Sequence, residues 1–258
     1  MSRWRFAFSH AAPSVVGLLR TFFKTPVFAA RLLASRARYF ATRTFDGTLE
    51  TPDGFRIETF QELIAYWSFF VEREGWSSEW INLLKTDPKP IVLDVGANAG
   101  VFTHLVWTLN PNAVIMAFDP LPKMAQKIGA WQQRTGANAR VLNLAIADQS
   151  GTAEFYASSE LDTTASLKSA AKTAQSIQVR VATLDELLPS GDPIALIKID
   201  VEGAEPEALA GAAQVLRRTK FLIIEAHTSE ALRKVQTQLG SAWAAKRVGA
   251  SDFLFFRS

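Results

Sequence analysis

Two stretches of the chain combine acidic side chains with glycine at spacings that suit chemistry. The first runs from Asp94 through Gly96 and Asn98 to Gly100, between a short apolar segment and an apolar segment with helical spacing. A strand, a glycine turn and a helix in this order collect unpaired N–H groups and the positive end of the helix dipole at one point. Glycine also lets a ligand approach the backbone, because it has no side chain and readily takes positive φ. The stretch therefore predicts a ligand site.

The spacing of these glycines points away from NAD. The dinucleotide motif is G-x-G-x-x-G, and Ala97 and Asn98 interrupt that spacing here. A looser D-x-G-x-x-x-G turn is typical of enzymes that bind S-adenosylmethionine, whose ribose and amino-acid tail carry no pyrophosphate. Asp119 ends the next apolar segment, about 20 residues further on, where a carboxylate can accept hydrogen bonds from both hydroxyls of a ribose. Its alternative role is to cap a helix before Pro120.

The third apolar segment supplies a candidate for the adenine end of the cofactor. Asn143 lies within it and Asp148 ends it, and either side chain could reach the adenine amino group. Asp148 also begins a natural turn that leads to Gly151, so Asn143 is the candidate we retain.

The second chemical stretch is Lys198–Glu205, at the end of an apolar segment that reads as a strand buried on both faces. Buried charges must pair, bind metal or face a cleft. Lys198 can neutralise a neighbouring acid, and Glu205 suits the first turn of a helix. Asp200 and Glu202 are therefore the candidate catalytic residues of this stretch.

His227 follows Glu225 at the end of the next apolar segment and is the third catalytic candidate. A histidine beside a carboxylate can act as a general base near neutral pH, although a structural or capping role is the alternative. Asp200, Glu202 and Glu225 could also supply oxygen ligands to Mg²⁺. No spacing rule supports that divalent cation strongly, so we assign no metal ligand.

Composition separates an N-terminal arm from the rest of the chain. Residues 1–45 hold eight of the 28 basic residues and none of the 25 acidic ones, interleaved with aromatic side chains. The arm could be a helix packed on the protein, a helix on an anionic membrane surface or a targeting segment. The remainder is acidic, which disfavours nucleic acid as a partner. The chain has no cysteine, which excludes disulfides and thiol chemistry.

The periodicity of apolar residues places these candidates on elements. Residues 47–55 read as a hairpin or loop, 59–74 and 77–84 as helices, and 151–157 with 177–181 as an antiparallel pair. Predicted strands 91–95, 113–118, 140–147, 194–199 and 221–225 alternate with predicted helices 101–109, 122–135, 205–217 and 229–239, and segments 243–248 and 253–256 read as closing strands. This alternation predicts an α/β fold with a mostly parallel, doubly wound sheet and helices on both faces.

Taken together, these segments resemble the FkbM methyltransferase family. The resemblance rests on VLDVGANAG (92–100), AFDP (117–120), NLAIAD (143–148), TLDELLP (183–189), IKIDVEGAEPEALAGA (197–212) and IIEAH (223–227). It implies a Rossmann-like class I methyltransferase fold and methyl transfer from S-adenosylmethionine, usually to a hydroxyl oxygen of a sugar or a secondary-metabolite alcohol. By position, it implies a cofactor site at residues 94–100 and Asp119, with Asp200 and Glu202 beside the methyl group.

The resulting expectation is an O-methyltransferase that acts on a glycan or another hydroxylated small molecule. The domains expected are the basic arm with its helical extension (1–45), a helical lead-in (46–90) and an S-adenosylmethionine-binding domain (91–258). A cytoplasmic location is expected, with the arm at the inner face of a membrane as a hypothesis. The loop 160–168 is either a lid over the acceptor or a solvated connector. The alternatives are a non-catalytic binding or scaffold protein and, disfavoured by the glycines, an NAD-dependent oxidoreductase.

Overall fold

The computed structural model describes residues 25–45, 47–157, 175–189 and 191–257. The chain divides into two compact units between Glu74 and Gly75. The first part of the basic arm and the loop 160–168 lie outside the described residues. The domain boundaries after residues 45 and 90 stay predictions.

In its described residues, 25–45 and 47–74, the first unit contains helical segments and a short hairpin. Its elements are α1 (Pro26–Thr42), β1 (Leu49–Glu50), β2 (Arg56–Ile57), α2 (Phe60–Tyr66) and a π-helical segment (Trp67–Glu72). The predicted hairpin is confirmed by the antiparallel pairing of β1 with β2. Thr59 caps α2, because its hydroxyl accepts the N–H of Glu62 at 3.2 Å. The predicted helix continues as a wider π-turn, across which Trp67 Nε1 donates to Glu72 Oε1 at 2.9 Å.

A seven-stranded sheet forms the centre of the second unit. The elements of this unit are α3 (Ser78–Thr86), β3 (Ile91–Val95), α4 (Val101–Leu109), β4 (Val114–Phe118), α5 (Pro122–Thr135), β5 (Ala139–Leu142), β6 (Ala145–Ile146), β7 (Gly151–Ala157), β8 (Gln175–Ala182), α6 (Leu184–Leu187), β9 (Ile194–Ile199), α7 (Glu205–Ala210), α8 (Ala213–Arg217), β10 (Thr219–Glu225), α9 (Ser229–Leu239), β11 (Trp243–Arg247) and β12 (Asp252–Arg257). The strand order is β11-β12-β10-β9-β3-β4-β5. Five neighbouring strands of this sheet are parallel: β5, β4, β3, β9 and β10. Strand β12 runs antiparallel to both of its neighbours, β10 and β11.

The strand order reverses at β3. From this strand the chain moves through β4 to β5 on one side, and later through β9 to β10 on the other. In open parallel sheets, ligands bind beyond the carboxyl ends of the strands at such a switch point. The order confirms the predicted Rossmann-like α/β fold and directs attention to the ends of β3, β4 and β9.

Two helical layers cover this sheet. One face includes Leu93 and Ile197, which lie in one buried cluster with residues of α7, α8 and α9. The opposite face carries Asp94 and Lys198, whose side chains contact α4. The prediction of helices on both faces of the sheet is therefore confirmed. In these central strands, the buried polar side chains Asp94 and Lys198 lie on the face that packs against α4.

Two predicted elements are each divided. The predicted strand 140–147 breaks at Asn143, and its second half joins β7 and β8 in a separate three-stranded sheet. The predicted helix 205–217 breaks at Gly211, where an added Cβ would lie 2.0 Å from the carbonyl oxygen of Ala147. The Asp185 carboxylate then accepts the N–H of Gln214, at the start of α8. Across the ranges that the structure describes, no helix is both long and apolar enough to span a membrane.

Candidate functional site

The turn after β3 is bonded to the end of β4. Gly96 and Ala97 both donate their N–H groups to the carbonyl oxygen of Phe118, at 3.0 and 2.9 Å. Positive φ values at Gly96 (79°), Asn98 (50°) and Gly100 (83°) give the turn its shape. The left-handed conformation is unfavourable for a residue other than glycine, and such residues cluster at functional sites. Asn98 supports its own conformation, because its Oδ1 accepts the N–H of Ala99.

The structure explains why glycine occupies positions 96 and 100, which the sequence alone did not. A Cβ on Gly96 would lie 1.8 Å from the carbonyl oxygen of Asp200, and a Cβ on Gly100 would lie 2.8 Å from Cγ1 of Ile128. Cβ atoms in proteins essentially never come this close to another heavy atom, so a side chain at Gly96 would collide with backbone and one at Gly100 would require the Ile128 side chain to move. The Asp200 N–H also donates to Val95 O at 3.0 Å. The turn after β3 and the loop after β9 are therefore in direct backbone contact.

Asp119 lies across the turn and is 6% exposed. Its Oδ2 accepts the N–H of Asn98 at 2.8 Å and its Oδ1 accepts the N–H of Leu121 at 2.9 Å. Burial outweighs these hydrogen bonds and raises the pKa of Asp119 to about 6. Asn143 Nδ2 donates to the backbone oxygen of Asp119 at 2.9 Å. The predicted ribose and adenine candidates are thus neighbours. The capping alternative for Asp119 is wrong, because the N-cap of α5 is Leu121 and no side chain caps this helix.

Asp94 lies beneath the turn rather than on its surface. The residue is fully buried, and Thr103 Oγ1 donates to its Oδ2 at 2.6 Å. Its Oδ1 is enclosed and has no hydrogen-bond partner among the described residues. Burial raises the pKa of Asp94, with the Lys198 ammonium opposing the shift.

A second polar cluster follows β9. Lys198 Nζ and Asp200 Oδ2 are 2.7 Å apart, with exposed side-chain fractions of 5% and 27%. Burial opposes ionisation of Asp200, but the Lys198 ammonium outweighs it and lowers the pKa of Asp200. Glu202, two residues further on, takes a positive φ of 53°. Glu205 accepts the N–H of Gly203 at 2.9 Å, a local role close to the predicted one.

His227 joins this cluster from the end of β10. Its Nε2 lies 3.5 Å from Glu202 Oε2 and 3.7 Å from Glu225 Oε1. The hydrogen bond with Glu202 raises the pKa of His227 to about 9, and the neighbouring acids act in the same direction. At neutral pH the imidazole therefore already carries its second proton. The raised pKa favours the protonated imidazole, so the role of His227 as a general base stays a prediction that this arrangement does not favour.

Glu225 and Lys198 also belong to this cluster, although the sequence predicted Glu225 only as a possible Mg²⁺ ligand and Lys198 only as a neutralising charge. Burial and the charge of Asp200 raise the pKa of Glu225 to about 9, and Ser251 donates to its Oε1 at 2.7 Å. The signal in the sequence is the position of each charge inside an apolar strand. Within the described part of the chain, no group of three or more metal-ligating side chains is arranged to hold a metal ion.

Comparison with known proteins agrees with the resemblance in the sequence. The family described as methyltransferase FkbM domain matches residues 94–244, more than half of the chain. The 2-O-methyltransferase NoeI of Sinorhizobium fredii is 27% identical over 54% of this chain and 63% of its own. The hexuronic acid methyltransferase AglP of Haloferax volcanii is 26% identical over 62% of this chain and 65% of its own.

A third relative is the 31-O-demethyl-FK506 methyltransferase FkbM of Streptomyces tacrolimicus, which is 26% identical over 54% of this chain and 66% of its own. The matched regions cover slightly less than two thirds of the length of NoeI and AglP. The family match spans both the turn after β3 and the cluster after β9 and β10. The chain belongs to the FkbM methyltransferase domain family.

Proposed function

We propose that this protein transfers the methyl group of S-adenosylmethionine to a hydroxyl oxygen of a saccharide or related hydroxylated small molecule. One observation supports the proposal most: the backbone of the cofactor-type turn at Gly96 contacts the backbone of Asp200, the first residue of the acidic cluster. A ligand over the turn would have these acids as its neighbours. The strand order supports the same location, because both groups follow strands at the switch point.

The residues beside the turn have the chemistry that S-adenosylmethionine requires. Each carboxylate oxygen of Asp119 accepts one backbone N–H and keeps a lone pair for a ribose hydroxyl. Asn143 uses its amide N–H₂ on Asp119, which leaves the amide oxygen to accept from the adenine amino group. Asp94 is enclosed beneath the turn, so its proposed part is to support the turn from below through its hydrogen bond with Thr103. Gly96, Asn98 and Gly100 shape the turn itself.

Methyl transfer to oxygen requires removal of a proton from the acceptor hydroxyl. S-adenosylmethionine, when bound, supplies a methyl group already activated on a sulfonium sulfur. Asp200 is ionised and 27% exposed, so it can accept the hydroxyl proton as the new carbon–oxygen bond forms. Glu202, whose side chain is 30% exposed, is the second candidate acceptor of that proton. Holding the acceptor in line supplies much of the remaining acceleration.

His227 takes a different role from the predicted one. Because its pKa is raised to about 9, it holds a proton at neutral pH and orients Glu202 as a cation. We therefore place the removal of the hydroxyl proton on the carboxylates. Replacing His227 by Asn should lower the rate of methyl transfer and leave cofactor affinity unchanged.

The choice of acceptor rests on the relatives. The name of NoeI specifies 2-O-methyl transfer, and that of AglP specifies hexuronic acid as the acceptor class. At identities of 26–27% these names support a hydroxylated acceptor more strongly than any particular one.

Calorimetric titration with S-adenosylhomocysteine tests the cofactor half of the proposal. We expect wild-type protein to bind it and Asp119→Asn to bind at least about tenfold more weakly, because a ribose acceptor is lost. The control Asp192→Asn, at an exposed residue before β9, should bind normally. Absence of binding by folded wild-type protein would refute the proposal.

A panel of saccharides, including uronic acids, with S-adenosylmethionine labelled on its methyl group tests the catalytic half. Asp200→Asn should lose methyl transfer while it retains S-adenosylhomocysteine binding. Cofactor binding without transfer to any member of a broad hydroxyl panel would favour a non-catalytic binding protein instead.

A further inference from the structure

A lysine side chain lies enclosed between the central sheet and α4, next to the acidic cluster. Lys198 belongs to β9, in which all six residues are buried, and its side chain is 5% exposed. Its register partners on the neighbouring strands are Asp94 of β3 and Ile223 of β10. An amine in such a position needs compensating groups, because an isolated buried charge is strongly unfavourable.

Three carboxyl groups from different parts of the fold provide this compensation. Asp200 accepts a hydrogen bond from Lys198 Nζ at 2.7 Å and supplies the largest compensating charge, and Asp94 and Glu225 are further acids near the amine. Although burial acts to lower it, these acids raise the pKa of Lys198, which keeps the amine protonated. The ring of Phe102 lies 5.9 Å from the same nitrogen. The ammonium therefore occupies the centre of the acidic cluster.

The carboxylates that a divalent cation would need are already engaged. Asp200 Oδ2 is held by Lys198, and Glu225 Oε1 accepts from Ser251 at 2.7 Å. Glu225 also retains its proton at neutral pH, whereas a metal ligand must be deprotonated. Glu202 Oε2 faces the His227 ring at 3.5 Å. The three acids considered as Mg²⁺ ligands do not fit that ion together.

We propose that Lys198 is the resident cation of this cluster and a positioning residue that holds Asp200 ionised and oriented for methyl transfer, without a divalent metal. The inference rests on the proposed function for the reaction that Asp200 serves. Lys198 Nζ holds Oδ2 of Asp200, on the face of the sheet that packs against α4. The carboxyl group of Glu225, from the adjacent strand, also acts to lower the pKa of Asp200. The carboxylate thus has a defined orientation before any acceptor arrives.

Carboxyl ¹³C NMR titration tests the positioning role on the full chain, without an acceptor. In wild-type protein, the Asp200 carboxyl should titrate below the ordinary aspartate range. In Lys198→Met its acid dissociation constant should fall at least about tenfold, because the nearby positive charge is lost. The matched control Lys220→Met, at an exposed lysine of β10, should leave the Asp200 titration unchanged.

A second variant covers the case in which Lys198→Met fails to fold. The double variant Lys198→Met/Asp200→Asn removes both charges, so it should fold even where the single variant does not. That pattern would support the inference, because it shows that the lysine is required by the Asp200 charge. An Asp200 titration that is the same in folded Lys198→Met and in wild-type protein would overturn it.

Titration of wild-type protein with Mn²⁺, with and without S-adenosylhomocysteine, tests metal independence and decides the matter if both variants unfold. We expect no broadening of the Asp200 and Glu225 carboxyl signals. Broadening of these signals would overturn the inference and leave the methyltransferase proposal intact. Failure of wild-type protein to bind S-adenosylhomocysteine would refute the proposed function instead, while the Asp200 titration would still report on the lysine.

Discussion

Acidification is expected to weaken S-adenosylhomocysteine binding through a single carboxyl group, that of Asp119. Burial raises the pKa of this group to about 6 in the free protein. Its proposed partners are two ribose hydroxyls, which need an ionised carboxylate as acceptor. The affinity for S-adenosylhomocysteine should therefore reach its maximum above the raised pKa of Asp119 and should decline as the pH falls through that pKa.

The magnitude follows from the fraction of Asp119 that is ionised. With a pKa of about 6, almost all of the group is ionised at about pH 8 and roughly a tenth at about pH 5. If only the ionised form binds, the dissociation constant rises about tenfold over this range. Near the raised pKa, binding should also release part of a proton, because the ligand stabilises the carboxylate.

Calorimetry in buffers of different ionisation enthalpy measures both quantities at once. Asp119→Asn is the control for titration of the ligand and of other protein groups, and its weak affinity should change little between about pH 5 and pH 8. The reasoning is refuted if wild-type affinity is constant over this range. It is equally refuted if the Asn variant keeps the wild-type pH dependence.

Three other perturbations have defined outcomes. Gly96→Ala should lower the free energy of unfolding by at least about 2 kcal/mol in urea titrations, because the new Cβ would lie 1.8 Å from a backbone oxygen at a φ of 79°. The control Gly129→Ala, in a helix and with nothing within 4 Å of the new Cβ, should be neutral or stabilising. Glu225→Gln should remove the decline in stability expected as the pH rises towards about 9, where the buried carboxyl must ionise; an unchanged pH profile of unfolding would contradict this. If the basic arm binds membranes, Arg31→Glu/Arg38→Glu, two exposed positions of α1, should weaken sedimentation with anionic vesicles at least about tenfold, and equal binding would argue against it.

The sequence was sufficient to predict the fold and the convergence of the candidate site residues, because both depend on local patterns. Apolar segments that end in acidic residues or glycine mark strands by themselves, and alternation with helical segments leaves few arrangements of a parallel sheet. Asp94, Asp119 and Asp200 follow strands that the topology brings together. Their convergence at one edge could therefore be predicted without any coordinates.

Contacts between distant segments could not be predicted in this way. The requirement for glycine at position 96 comes from a carbonyl more than a hundred residues away in the chain. The protonation of His227 and Glu225 depends on how closely the ends of β9 and β10 bring these two residues to Lys198, Asp200 and Glu202. Sequence spacing does not specify these distances. The break in the predicted helix at Gly211 has the same origin, since it depends on the carbonyl of Ala147.

The backbone contact between Gly96 and Asp200 also limits how this protein can diverge or be redesigned. The two segments meet without an intervening side chain, so neither can change its path unless the other changes with it. A loop grafted from another methyltransferase after β9 would have to bring its matching turn after β3. Changes of acceptor preference are therefore expected to arise in segments outside this pair, which can vary one at a time.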